Sequence, residues 1–546
     1  MSIYKCLMHY NNINLYTNQN WNIRGVNLGG FMVLEPWITP SMFYQFTNPQ
    51  IYSSDIGMDM YSFCKILKSN GYMQLEEHFE NWITEEDIID LKNREITHVR
   101  IPVADWIFIP YEPYIGCTDN SITHLNRVIK YCEKYDIKVL LDLHAVKDSQ
   151  NGLDNSGKTS GLEYIVAPDY NYHGMLTFRH WSIRDAPWIG EYNHKTKNYT
   201  KINYDNIEFT KSVLYKIIDL YKDNPIIFGI EPLNEPWQFT PEKILKDFYY
   251  SIYEYMSMRA PQWKFIYHDS FRHDIWNDFL INCTNTALDW HVYQAWKTDR
   301  YGDLFLLEAD ANKNVLKNYK KSGINVVIGE WSIATDNCAM WLNGFQDNLE
   351  GYPVTECKYT TCPNPYIVLA RDIDRTSNII SPFGTGKSSP MMGACPYDGT
   401  LLVISEHEDK FLHEFTQRNL KSFQESQGWF FWNFKTEIKE EKKWNYIESY
   451  NKGYFTPNKS YSTRENTLIK IFSVIGCVCI IVIFYLIYKI SKQSKYGIIY
   501  VKNPYFYERI KYSQSHPGDF NNYQTIVDNS DIDVESCDFK INIANK

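Results

Sequence analysis

The chain has 546 residues, 44% apolar, 16% aromatic and 22% charged, so it carries enough apolar surface for a large core and is not disordered, collagen-like or a polytopic membrane protein. Its 55 Lys and Arg against 65 Asp and Glu leave a net charge of −10, which provides no basic field for a phosphate backbone and excludes nucleic acid as the expected partner. The 16 Trp, 43 Tyr and 29 Phe suit a core or, in the sharper reading, a surface on which sugar or base faces stack.

Residues 1–20 contain no apolar signal-peptide core. From residue 21 onward, short β-rich apolar runs alternate with amphipathic or polar stretches, the pattern of repeated βα units. Eight such runs are present: Ile23 to Gly30, His98 to Val103, Lys138 to His144, Ile226 to Pro236, Lys264 to Ser270, Leu288 to Gln294, Asn325 to Ser332 and Gly428 to Phe434. Between them lie helical patterns such as Ile122 to Asp136, where Leu125, Val128, Ile129 and Cys132 fall at i, i+3, i+4 and i+7. The count predicts an α/β protein, a closed (β/α)8 barrel over residues 21–457.

Five of the runs begin apolar and end polar, at Arg100, at His144, at Asn234 with Glu235, at His291 with Tyr293, and at Glu330. In such barrels the C-terminal strand ends face the active site. One polar strand end alone is a loop cap; five together predict a site. Two carboxylates among them meet the minimum for cleaving a glycoside, an acid for the leaving oxygen and a partner for the oxocarbenium-like carbon.

The 12 Cys are scattered with no paired CxxC motifs, so neither a metal nor a cofactor is expected. In an oxidising compartment Cys357, Cys362 or Cys395 is a candidate to bridge to Cys283 or another partner. GTGKSS (Gly384 to Ser389) lacks the first glycine of a phosphate loop, since position 381 is Ser381. A juxtamembrane linker (458–470) leads to 18 uncharged residues, Ile471 to Tyr488, about 27 Å of helix and long enough to span a bilayer. Residues 489–546 read as a disordered tail. Lys489, Lys492, Lys495 and Lys502 against Lys459, Arg464 and Lys470 favour a cytoplasmic tail and a lumenal or extracellular main domain. The absence of a signal sequence in residues 1–20 opposes that topology, and leaves either a true start upstream of residue 1 or a tail-anchored protein with its main domain in the cytosol. Sequons at Asn198, Asn282 and Asn458 permit glycosylation.

Longer stretches carry a resemblance: RGVNLGGFMVLEPWITPSMF (Arg24 to Phe43), SQNGLDNSG (Ser149 to Gly157), LNEP (Leu233 to Pro236), GEWSIATDNCAMWLNGF (Gly329 to Phe345) and GWFFWNFKTE (Gly428 to Glu437). Together they resemble the fungal-type exo-β-1,3-glucanases of glycoside hydrolase family 5, retaining (β/α)8 enzymes, from about Trp21 to Thr436. Phe31, Ala145, Trp290 and Val292 depart from the family's pattern, and residues 358–392 look like an insertion, which leaves specificity at that rim open.

The resemblance implies that Glu235 is the general acid/base and Glu330 the nucleophile, with β-glucan as substrate and a monomeric enzyme. It assigns sugar or carboxylate contacts to His144, Asn234, His291 and Tyr293, sugar stacking to Trp432, and a hydrogen bond to the terminal glucose to Glu35. Glu35 as an ion-pair partner, and each rim His or Arg as a structural group, are the plainer readings. Arg100 is expected to keep Glu330 ionised, and the neighbouring carboxylate to raise the pKa of Glu235. Other β-glucosides (β-1,6-glucan, a sterol glucoside or a glucosylated lipid) preserve the same chemistry, and a wall-binding lectin without turnover is the non-enzymatic alternative.

Overall fold

A computed structural model describes residues 4–7, 20–46, 57–160, 163–165, 177–179, 185–297, 303–335, 339, 341–342, 358–360, 405–439 and 441–457. The apolar run 471–488, the GTGKSS segment, Cys357, Cys362, Cys395 and most of 358–392 lie outside the described residues. Among the described residues no helix is long and apolar enough to cross a membrane.

In chain order the elements are β1 (Ile23–Asn27), α1 (Met60–Leu67), α2 (Ser69–Trp82), α3 (Glu85–Asn93), β2 (His98–Ala104), α4 (Ser121–Lys134), β3 (Lys138–Ala145) and four short strands, β4 (Glu163–Ile165), β5 (Thr177–Arg179), β6 (Gly190–Asn193) and β7 (Asn198–Ile202). Then follow α5 (Tyr204–Tyr221), β8 (Ile227–Glu231), α6 (Glu242–Arg259), β9 (Lys264–His268), β10 (Thr286–Val292), α7 (Asp303–Lys321), β11 (Val326–Trp331), α8 (Ser405–Phe423), β12 (Gly428–Phe431) and α9 (Tyr446–Asn451). Eight parallel strands close in the order β1-β12-β11-β10-β9-β8-β3-β2, a (β/α)8 barrel. β4 pairs with β5 and β6 with β7 in two antiparallel hairpins outside the barrel.

All eight predicted runs supply barrel strands, and α4 buries Leu125, Val128, Ile129 and Cys132 as the spacing requires. The fourth run ends earlier than expected, at Glu231, because Pro232 has no N–H to offer the ladder. The chain then leaves the sheet, and Asn234 is caught from β3 by a hydrogen bond from its N–H to the Leu143 carbonyl (3.0 Å). Helix starts follow side-chain caps: Asp59 and Ser62 close a capping box on α1, and Thr84 and Asp87 another on α3.

The barrel interior is layered by the two-residue strand period. Ile23, Leu140, Ile266, Ala287, Val327 and Phe430 form an apolar plug, each large member contributing about 1.5–3 kcal/mol when buried. Gly25 belongs to this layer: a Cβ there would meet the Phe430 ring at 2.2 Å. Two residues further along their strands stand Asn27, Asp142, Asp289 and Gly329, and two beyond that His144 and His291. Apolar packing thus gives way to charge toward the C-terminal face.

Two disulfides tie outer segments down, Cys64–Cys117 and Cys6–Cys283. The second corrects the expectation that Cys283 pairs with a cysteine of the inserted region. The N-terminal residues lie along α6, with the Tyr4 hydroxyl donating to Asp247 (2.8 Å) and the Leu7 N–H to the Tyr253 hydroxyl (3.3 Å), which delivers Cys6 to Cys283.

Replacing both Cys64 and Cys117 by Ser is expected to lower the unfolding free energy by about 2–4 kcal/mol. Comparing calorimetric midpoints of the two proteins without reductant checks this, and an unchanged midpoint contradicts it.

Candidate active site

Arg100 projects from β2 into the barrel and is fully buried. Its Nε donates to Glu231 (2.7 Å), Nη1 to Glu330 (2.8 Å) and to the Asn27 side-chain oxygen (2.9 Å), and Nη2 to the Asn234 side-chain oxygen (2.8 Å). Asp142 lies 3.1 Å from Nη2. Burial alone would lower the pKa of Arg100, but Asp142, Glu231 and Glu330 outweigh it and hold it well above the usual range. One guanidinium therefore binds five polar side chains from the β1, β2, β3, β8 and β11 side of the barrel.

Glu330 at the end of β11 receives its second hydrogen bond from the Tyr293 hydroxyl (2.8 Å). His291 stands between the two candidate carboxylates: its Nδ1 is 2.8 Å from Glu235 and 3.4 Å from Glu330, while Nε2 is 3.2 Å from Asp289. One oxygen of each carboxylate thus lies within reach of the same imidazole nitrogen, which brings both acids to one place. Glu235 sits in the loop after β8 with φ 41°, a left-handed conformation that costs a non-glycine residue of order 1–3 kcal/mol and is typical of sites where geometry is imposed.

His144 is fixed from both sides, by Asp142 at Nδ1 (2.6 Å) and by the Trp432 ring stacked parallel to it at 5.5 Å. Gln150 donates to the carbonyls of His144 (2.7 Å) and Asn234 (2.9 Å), so the SQNG motif ties the β3 loop to the loop carrying Glu235. Glu35 is buried and accepts from the Trp37 indole N–H (2.9 Å), not from a cation. Burial, with Asp154 adding, pushes its carboxyl well above the usual range.

These groups surround a cavity of about 590 Å³ whose walls include Glu35, Glu235, His291, Tyr293, Glu330 and Trp432, within the range of about 300–1,000 Å³ common for small-molecule sites. Arg100 and His144 adjoin that wall, the first hydrogen-bonded to Glu330 and the second stacked on Trp432, and both contact the Asn234 side chain. Trp37, Trp290, Trp296 and Trp444 also line it, matching the aromatic wealth of the composition. All nine residues singled out in the sequence thus converge at one end of the barrel.

The electrostatics run opposite to the expectation from two carboxylates alone. Burial would raise Glu235, but the hydrogen bond and charge of His291, with His268 and His144 adding, bring it down to about 2. Burial pushes Glu330 up, only partly offset by His291 and Arg100. Burial would depress His291, yet Glu330 and Asp289 lift it well above the imidazole range. These directions favour the proton on His291, one 2.8 Å hydrogen bond from Glu235.

Two groupings, Glu235–His268–His291 and Glu231–Asp289–His291, are tight enough to enclose a cation. Each needs a lone pair from His291, and both its ring nitrogens already face acids as donors. The supporting residues not singled out in the sequence are Asn27, Asp142, Gln150, Glu231 and Asp289. Asp142 and Asp289 had a legible signal, each lying two residues before a candidate His on the same strand face.

A profile of the cellulase family (glycosyl hydrolase family 5) matches residues 65–348. Glucan 1,3-beta-glucosidase of Blumeria graminis is 28% identical over 434 residues, covering 77% of this chain and 84% of that protein. The protein of the same name from Schwanniomyces occidentalis is 29% identical over 431 residues, with the same coverage. Among solved structures, rutinosidase from Aspergillus niger shares the fold, with a TM-score of 0.53 and 17% identity over 80% of this chain and 99% of that one.

Arg100→Met is expected to leave Glu330, Glu231 and Asp142 buried without their cation and to destabilise the chain by about 3–5 kcal/mol. Urea unfolding of the two proteins measures this; a loss below about 1 kcal/mol would mean that the guanidinium is not the counter-charge.

Proposed function

Because this chain belongs to glycosyl hydrolase family 5, we propose that it is a retaining exo-glucosidase that releases glucose from the non-reducing ends of β-1,3-glucan, with Glu330 as nucleophile and Glu235 as acid/base. The observation that carries the reading is that Glu235 and Glu330, the pair of carboxylates a glycosidase needs, meet at one His291 nitrogen in the wall of a single cavity. The relatives named glucan 1,3-beta-glucosidase favour the β-1,3 linkage.

In the first step a Glu330 oxygen attacks the anomeric carbon and the glycosidic bond breaks. The leaving oxygen takes its proton from Glu235, which is resupplied from His291 Nδ1 along their 2.8 Å hydrogen bond. In the second step water attacks the glucosyl-Glu330 ester, and its proton returns through Glu235 to His291. An acceptor sugar in place of water yields transfer. Tyr293 and Arg100 keep Glu330 aimed through one hydrogen bond to each oxygen. Asn234 is suited to the 2-hydroxyl, Trp432 to stacking beneath the sugar, and Glu35, with its raised pKa, to a hydrogen bond with the terminal glucose that closes the pocket for exo action.

We infer further that residues 471–488 anchor the protein, with the barrel on the lumenal or extracellular side. The length and flanking charges of that run support this, and the two disulfides suit an oxidising compartment.

With laminarin, β-glucose should appear before α-glucose. Glu330→Gln should reduce turnover by about 10³-fold or more, and Glu235→Gln by about 10²–10⁴-fold, the latter regaining rate with azide and yielding β-glucosyl azide. Early α-glucose, or saccharide binding without turnover by the unmutated protein, overturns the reading. Alkaline carbonate washing should leave the full chain in the membrane pellet and release a form lacking 471–488; release of both removes the anchor.

A further inference from the structure

Among the described residues, Asp289 is a buried charge that the proposed reaction does not use and that touches both halves of the machinery. Asp289 and His291 lie two residues apart on the inward face of β10, whose pairing with β11 shifts register between them so that His291 stands opposite Glu330. The Asp289 carboxylate is fully buried. One oxygen accepts the N–H of Gly329, the residue before Glu330 (2.7 Å), and the other lies 3.2 Å from His291 Nε2.

Gly329 is fitted to this carboxylate: a Cβ there would lie 2.1 Å from each Asp289 oxygen. The residue preceding the nucleophile therefore has no side chain because Asp289 occupies the space.

An ionised carboxylate only accepts hydrogen bonds, so His291 must keep a proton on Nε2. Nδ1 is then the nitrogen that exchanges a proton with Glu235, and it does so without the ring turning. His268, packed edge-on against His291 at 4.4 Å, does not compete, since its Nδ1 accepts from the Ser270 N–H (2.9 Å).

We propose that Asp289 is a positioning residue of the glycosidase reaction, which locks His291 with Nε2 protonated so that Nδ1 serves Glu235, and which anchors the backbone that presents Glu330. This rests on the acid/base and nucleophile roles proposed above. The other groups facing His291 are Glu235, Glu330, Glu231, Tyr293, His268 and Asp269, with Arg100 beyond Glu330 and His144 beyond Asn234. Asp289 is the one with a hydrogen bond to Nε2.

Asp289→Asn preserves shape and an oxygen for the Gly329 N–H but removes the charge and sets a donor against Nε2. Loss of a nearby negative charge makes the proton shared by His291 and Glu235 easier to lose. The basic limb of the kcat/KM profile on p-nitrophenyl β-glucoside should therefore move down by about one pH unit, with turnover reduced about tenfold. On 2,4-dinitrophenyl β-glucoside, whose leaving group needs no protonation, most of that loss should vanish.

Equal losses on both substrates with unmoved pH limbs would mean a merely structural Asp289 and overturn the proposal. If the variant does not fold, ¹⁵N-histidine NMR of the unmutated protein decides: Nε2 protonated from pH 5 to 8 is the expected result, and a bare Nε2 overturns it. An unmutated protein that turns over neither aryl glucoside nor laminarin refutes the glucosidase reading instead.

Discussion

Several acidic side chains share the upper half of this barrel, and an unpaired carboxylate there would cost several kcal/mol. Arg100 is the constraint that makes the arrangement possible. Its planar fork offers donors in fixed directions, and they are met by Glu231, Glu330, Asp142, Asn27 and Asn234. A lysine could neutralise one of these carboxylates but not orient all of them. The placement of Glu330 thus depends on one buried cation.

The proton of the reaction has a similar economy. Glu235, Glu330 and Asp289 converge on a single imidazole, whose positive charge is favoured by three acids despite its burial. The charge balance therefore belongs to the pair His291–Glu235 and not to the carboxyl alone. A proton shared along a short hydrogen bond is available to a leaving group without requiring an isolated neutral carboxylic acid at rest.

The departures from the related glucanases fall around this centre and not in it. Trp290 lines the cavity with its ring edge toward His273 at 5.5 Å, and Phe31 is buried edge-on against Phe79. Neither contributes to the hydrogen bonds on Glu235 or Glu330. The hydrophobic plug beneath and the aromatic lining above leave the charged layer between two apolar ones, which strengthens every interaction inside it.

The sequence by itself determined the eight-strand barrel and the convergence of Glu35, Arg100, His144, Asn234, Glu235, His291, Tyr293, Glu330 and Trp432, because strand period and polar strand ends are local patterns, and the family's motifs are contiguous. The early end of β8 was legible in principle, in Pro232. What only the tertiary structure decided depends on partners distant in the chain. The proton is favoured on His291 because β10 carries that ring between a β8 loop and β11. Cys283 bonds Cys6 because the N-terminal residues lie along α6. Asp289 matters because Gly329, forty residues on, leaves it room. Direction of charge and choice of partner are set by what surrounds a group in space, and a linear pattern does not contain that information.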